Sequence, residues 1–151
     1  EAVKEKVSDF DIFISTAAIA DYKPANYSDT KYKKNENNIT IEFTRGIDIL
    51  ETISKKHKNL FTVGFAAETN SLKENTQQKL AKKNLDLIVG NIANHELKLG
   101  FESDYNEVII LSNTNSKKIS HDKKSNIANK ILDFIAIEYS NKLQLVKNNV
   151  K

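Results

Sequence analysis

Short runs of β-branched and aliphatic residues alternate along this chain with segments whose apolar residues recur at helical spacing. That alternation restricts the fold more than any other feature. Strand and helix in turn bury their apolar faces as a layered α/β domain around a largely parallel sheet. Asp11 to Ala18 (DIFISTAA) and Leu60 to Ala67 (LFTVGFAA) have the composition of buried strands. Ile39 to Thr44 (ITIEFT) alternates apolar and polar residues and predicts a half-buried strand. Leu85 to Val89 (LDLIV) and Glu107 to Ser112 (EVIILS) predict two more, and Ser116 to Ser120 adds a short edge strand. The two late strands suggest an antiparallel hairpin at one edge of the sheet.

Between these runs lie three predicted helices. Ile47 to His57 sets Ile49, Leu50 and Ile53 on one face. Ser71 to Lys83 opens on a capping-box pattern, Ser71 and Glu74, and ends before Asn84, a residue suited to a left-handed cap. A long helix from Ser120 carries Ala128, Ile131, Leu132, Ile135 and Tyr139 at helical spacing. Glu1 to Asp9 has the character of the end of a further helix. Ala20 to Asn38 is polar, holds the sole proline, Pro24, and is expected to be a loop; the charged tail from Asn141 is expected to fray.

The chain has 151 residues, which fits one domain able to bury roughly 70% of its unfolded surface. No apolar run approaches the ~20 residues of a membrane span, so no membrane partner is expected. The net charge is only +3, and aromatic residues do not alternate with the basic stretches, so nucleic acid is not an expected partner either. There is no cysteine, which removes disulfides, thiolate metal sites and cysteine nucleophiles and suits a cytoplasmic location. Four scattered glycines exclude a Gly-rich phosphate loop. His57, His95 and His121 have no metal-ligand spacing. With no methionine at all, residue 1 is not a natural start, and the domain is expected to be N-terminally incomplete.

In doubly wound sheets ligands bind beyond the carboxyl ends of the strands. Five stretches qualify. Ala17 to Pro24 (AAIADYKP) combines small residues that admit a ligand to the backbone with Asp21, an acceptor for ribose hydroxyls; it also reads as a plain strand exit. Lys31, Lys33 and Lys34 suit a polyphosphate, or are a solvated cluster in a lysine-rich chain. Arg45-Gly46-Ile47-Asp48 is a helix start open to an anion, or a turn in which Asp48 offsets the helix dipole. Phe65 ends the third apolar run as a base-contacting ring or a core residue. Lys79 and Lys83, four apart, share a helix face, or are part of an ordinary solvated face in a lysine-rich chain.

The order and spacing of AAIADYKP, KYKK, GFAAET, a lysine-bearing helix, NLDLIVGN and GFESDYNEVII closely resemble the phosphopantothenate–cysteine ligase family, over Asp11 to Tyr139. The resemblance implies a Rossmann-like three-layer fold, a homodimer, and CTP and Mg2+ as nucleotide substrate and cation. It implies joining of 4′-phosphopantothenate to cysteine through an acyl-cytidylate, an early step of coenzyme A synthesis. It implies a flavin-dependent phosphopantothenoylcysteine decarboxylase fused or associated with the ligase. By motif match, CTP lies against Ser15, Thr16, Ala17 and Asp21, the helix start Ile47, Asp48, Ile49 and Leu50, Phe65, and Lys79 and Lys83. Lys31 supports cytidylate formation, and Lys33, Lys34 and Asn91 are phosphate or substrate contacts. Five ammonium groups, Lys31, Lys33, Lys34, Lys79 and Lys83, would neutralise a triphosphate and a substrate phosphate. No metal ligand is assigned to a side chain. The family's Gly-rich first strand and its Asn/Ser/Gly segment are not among these residues, so the 151 residues alone are expected not to complete the ligation. A nucleotide-binding module without catalysis is the alternative.

Overall fold

A computed structural model describes residues 2–31, 38–92 and 103–148. A short helix α1 (Ala2–Lys6) and a single 3-10 turn precede β1 (Ile12–Ile14). β2 (Tyr22–Pro24) and β3 (Phe43–Arg45) follow, then α2 (Ile49–Lys56), β4 (Phe61–Glu68), α3 (Leu72–Lys82), β5 (Leu87–Ile92), β6 (Tyr105–Ser112), β7 (Ser116–Lys123) and α4 (Lys124–Asn148). The main sheet has the order β1-β4-β5-β6-β7. β1, β4 and β5 run parallel, and the β6–β7 hairpin is added antiparallel beside β5. The expected Rossmann-like α/β sheet with an antiparallel edge hairpin is therefore the observed one.

Alternation along each strand divides the core in two. Phe61, Val63, Leu87, Val89, Val108, Ile110 and Ile119 face α4, which brings Ile127, Ile131 and Ile135. Ala66, Ile88 and Leu111 face the other way, against Leu50 of α2 and Leu80 of α3. Two glycines set how closely that second layer approaches. A Cβ on Gly64 would lie 2.8 Å from side-chain atoms of Leu50 and Leu85. A Cβ on Gly90 would lie 2.3 Å from Thr76 Oγ1 and 3.1 Å from Leu72 Cδ1.

Several boundaries differ from the sequence reading, each for a local reason. The stretch expected to be a loop contains β2, which pairs with β3 in a separate two-stranded arm. The strand expected over Ile39 to Thr44 shortens to Phe43–Arg45, and Ile39, Ile41 and Phe43 are each more than half exposed. The capping box at Ser71 does not form. Ser71 sits at φ 43°, its side chain makes no cap bond, and Asn75 Nδ2 instead donates to the Asn70 carbonyl at 3.1 Å. The far end of α3 is as expected: Asn84 is left-handed, its amide donates to Ala81 O, and Leu85 N donates to Leu80 O. The edge strand runs on to Lys123, which delays α4 to Lys124. The tail does not fray at Asn141, because Lys142 Nζ donates to Leu60 O at 3.0 Å and to Asp86 Oδ1 at 2.7 Å. Asp86 Oδ2 in turn accepts from Thr62 N at 2.8 Å, so one carboxylate ties α4 to the starts of β4 and β5.

Gly90→Ala is expected to lower stability by about 1–3 kcal/mol, the range for forcing a methyl into a packed layer. Adding Thr76→Ala empties the position that the new Cβ would strike, and removes a hydroxyl with no partner among the described residues. The double variant should recover much of the loss in urea unfolding. Additive effects would contradict the assigned contact.

Candidate functional site

A cleft of ≈ 410 Å³ opens at the carboxyl ends of β1 and β4. Its walls come from three stretches and two single residues. Ser15 to Asp21 leave β1, Arg45 to Leu50 carry the chain from β3 into α2, Phe65 to Ala67 lie towards the end of β4, and Lys83 and Asn91 complete the rim. The backbone explains how these meet. Ser15 N extends the β1–β4 ladder by donating to Val63 O at 2.9 Å. Gly46 N donates to Asp21 O at 2.7 Å, closing the arm over the exit of β1. A Cβ on Gly46 would lie 3.2 Å from the Ala20 carbonyl, so the bare backbone keeps this crossing tight.

Asp48 is the N-cap of α2. Its Oδ1 accepts from Glu51 N at 2.9 Å and its Oδ2 lies 2.9 Å from Lys83 Nζ. Lys83 closes α3 at the far end, but helix side chains lean towards the N-terminus, and this one runs back to the cleft. Its carbonyl also accepts a short hydrogen bond from Ser54 Oγ, which locks α3 against α2. Burial works to raise the Asp48 pKa; the Glu51 amide, Lys83 and Arg45 outweigh it, and the carboxyl titrates below its ordinary 3.8. Lys79, one turn before Lys83, pairs with Glu68 at 2.7 Å.

Of the residues expected to meet a nucleotide, the cleft brings together Ser15, Thr16, Ala17, Asp21, Ile47, Asp48, Ile49, Leu50, Phe65 and Lys83, and also Asn91. Phe65 is exposed there and is not a core residue. Lys31 is exposed outside the lining, and Lys79 stands outside it on Glu68. Lys33 and Lys34 lie outside the described residues. Sequence reasoning missed both carboxylate partners of the α3 lysines. No local pattern links Glu68 or Asp48 to residues 11 and 35 positions further on; only the packing of α3 beside β4 and α2 does so. Among the described residues no group of three or more His, Cys, Asp or Glu side chains converges as a metal site would require. No helix of the described residues is long and apolar enough to cross a membrane.

Fold and cleft together define a Rossmann-like domain with an open cleft at the strand ends. Residues 1–139 match the family described as DNA/pantothenate metabolism flavoprotein C-terminal domain, and this chain belongs to that family. The coenzyme A biosynthesis bifunctional protein CoaBC of Bacillus subtilis strain 168 is 42% identical over 118 residues, 78% of this chain and 29% of the relative. The protein of the same description from Vibrio vulnificus strain CMCP6 is 38% identical over 135 residues, 87% of this chain and 33% of its own. The chain thus spans about a third of the length of these relatives. The crystal structure of the C-terminal domain of a coenzyme A biosynthesis bifunctional protein CoaBC matches with a TM-score of 0.69 at 27% identity, covering 93% of this chain and 60% of that one. A Cab2 mutant in complex with phosphopantothenate-cysteine shares the fold at a TM-score of 0.56 and 18% identity, over 72% of this chain and 34% of that one.

Asp48→Asn keeps an acceptor for the cap and removes the charge facing Lys83. A carboxyl with a depressed folded-state pKa stabilises above its unfolded value, and that stabilisation is lost as the pH falls through the folded value. The stability advantage of the native protein over Asp48→Asn should therefore be full at pH 7 and shrink as the pH drops below 3.8. An advantage that stays constant in urea titrations from about pH 7 to pH 3 would contradict the pairing.

Proposed function

We propose that this chain is the ligase part of a coenzyme A biosynthesis enzyme that joins 4′-phosphopantothenate to cysteine at the expense of CTP. The observation that carries the reading is convergence. Ten residues that the resemblance assigns to the nucleotide come from distant stretches of the chain and line one cleft. The relatives' description as coenzyme A biosynthesis bifunctional proteins supports the same reading.

In this reaction a carboxylate oxygen of phosphopantothenate attacks the α-phosphate of CTP. The new P–O bond gives the acyl-cytidylate, and pyrophosphate leaves. The cysteine amine then attacks the acyl carbon, an amide forms and CMP departs. Ser15 to Ala17 and Asp21 hold the nucleoside side, and Phe65 offers a ring face. Asp48 and Lys83 form a fixed polar pair at the start of α2. Lys31 acts from the neighbouring loop on the charge developing at the α-phosphate. Lys33 and Lys34 contact phosphate groups, and Asn91 lies at the β5 rim beside the substrate. Mg2+ enters with CTP, held by phosphate oxygens and water.

The arm supports a dimer. A two-stranded ribbon is marginal alone in water, and Phe43 in this one, with Ile39 and Ile41 just before it, is open. A second copy of the chain covers that face in our reading. The enzyme works in the cytoplasm beside a flavin-dependent decarboxylase, fused or associated.

In the full-length gene product, CTP with Mg2+ should raise the thermal midpoint more than ATP with Mg2+, since a ligand of the folded state alone stabilises it. Equal shifts would contradict CTP selectivity. Lys31→Gln should abolish pyrophosphate release from CTP and phosphopantothenate while changing stability by less than about 0.5 kcal/mol. Normal release by a folded variant would remove Lys31 from the chemistry. Phe43→Ser should convert the dimer to monomer in sedimentation; a native mass with or without the change, if monomeric, would exclude the arm as an interface.

A further inference from the structure

Glu68 closes β4 directly after the three residues that wall the cleft. Its carboxylate is about nine-tenths buried. Oε2 accepts from Asn75 Nδ2 at 3.3 Å. Oε1 lies 2.7 Å from Lys79 Nζ, an ion pair without hydrogen-bond alignment, and no other described donor reaches that oxygen. We propose that Glu68 is a positioning residue that fixes the ammonium of Lys79 at the end of β4, just outside the cleft walls, where it meets the charge of the bound nucleotide. The inference rests on the nucleotide reading given above.

Three observations converge on this role. First, the pair is lopsided. The Glu68 side chain is 10% exposed and that of Lys79 is 44% exposed. A carboxylate taken out of water needs its counter-ion, whereas a half-exposed lysine does not need a carboxylate. The burial of Glu68 therefore dictates where the Lys79 head group stands. Second, Asn75, Lys79 and Lys83 form one stripe of α3 at four-residue spacing. The first two hold Glu68 and the third holds Asp48, so Lys79 beside the cleft and Lys83 in its wall both have their head groups fixed by carboxylates from other elements. Third, a free surface lysine loses rotamer freedom when it meets a ligand; one already ordered does not, and binding is tighter for it. Pairs of this kind add little to stability by themselves, because replacing a largely buried ion pair with a neutral contact is often without cost. A binding role accounts for the buried charge better than a structural one.

The test is a double-mutant cycle in the full-length gene product, with CTP varied at saturating phosphopantothenate and cysteine. Glu68→Gln keeps the volume and the Asn75 contact and releases Lys79. It should raise KM for CTP about three- to tenfold, the effect of one partly exposed charge contact, with kcat little changed. Lys79→Gln should raise KM similarly, and Glu68→Gln added to it should raise KM no further. A Glu68→Gln enzyme with native KM, beside a Lys79→Gln enzyme with raised KM, overturns the proposal, and so do additive effects. Lys79→Gln with native KM overturns the nucleotide role of Lys79 itself, which separates failure of the underlying reading from failure of this one. Glu68→Asp keeps the charge on a shorter reach and gives the same readout if the glutamine variant does not fold; an intermediate KM is expected, and a native KM counts against the proposal.

Discussion

The height at which α3 lies on the sheet decides where its polar side chains end up. That height is set at Gly90, where the missing Cβ lets Thr76 and Leu72 come down onto β5. A methyl there would push the helix outward by a few tenths of an ångström or more. Leu72, Thr76 and Leu80 face the sheet, so Asn75, Lys79 and Lys83 occupy the adjacent stripe. From that stripe, side chains leaning towards the helix N-terminus reach the strand ends. Gly64 plays the same part for Leu50 of α2. Two glycines at layer contacts thus locate the groups that form the cleft rim, although neither lines the cleft.

The cleft is electrostatically balanced among its described residues. Asp21 and Asp48 face Arg45 and Lys83, and Lys79 is matched by Glu68. A pool of free ammonium groups, as the abundance of lysine suggests, is therefore not what these walls present. Such a surface does not attract a polyanion by net field. On the proposed reading it selects by fixed dipoles and shape, holding the nucleoside part, and the phosphate charge falls to the positioned ammonium of Lys79 and to Lys31 with its neighbours in the loop.

Much of this was legible in the sequence because period and composition are local signals. Parallel strands buried on both faces announce themselves as apolar runs, and the left-handed Asn84 needs only its own residue type. The stretches that form the cleft were legible for a related reason: each leaves a strand at its carboxyl end. What the sequence hid was set by contacts between distant elements. Ser71 has the residue type for a cap but lies at a left-handed φ, and its side chain makes no cap bond. The polar tail holds as helix because one lysine reaches Asp86, 56 positions away. The partners of Lys79 and Lys83 are of the same kind.

The arm is the case in which local pattern and single-chain structure disagree, and the disagreement carries information. ITIEFT alternates as a strand with one buried face should. Within one chain that face is open: Ile39 is 57%, Ile41 53% and Phe43 56% exposed. An alternation of this kind serves no purpose in a ribbon bathed in water, where either face is equally wet and an open apolar edge invites unwanted pairing. On the proposed reading it is the surface that a second copy of the chain covers. The same ribbon delivers Asp21 and Arg45 to the cleft from either side of its strand pair. On the proposed reading, the second copy that covers the arm also steadies two of the four charged residues in the cleft walls.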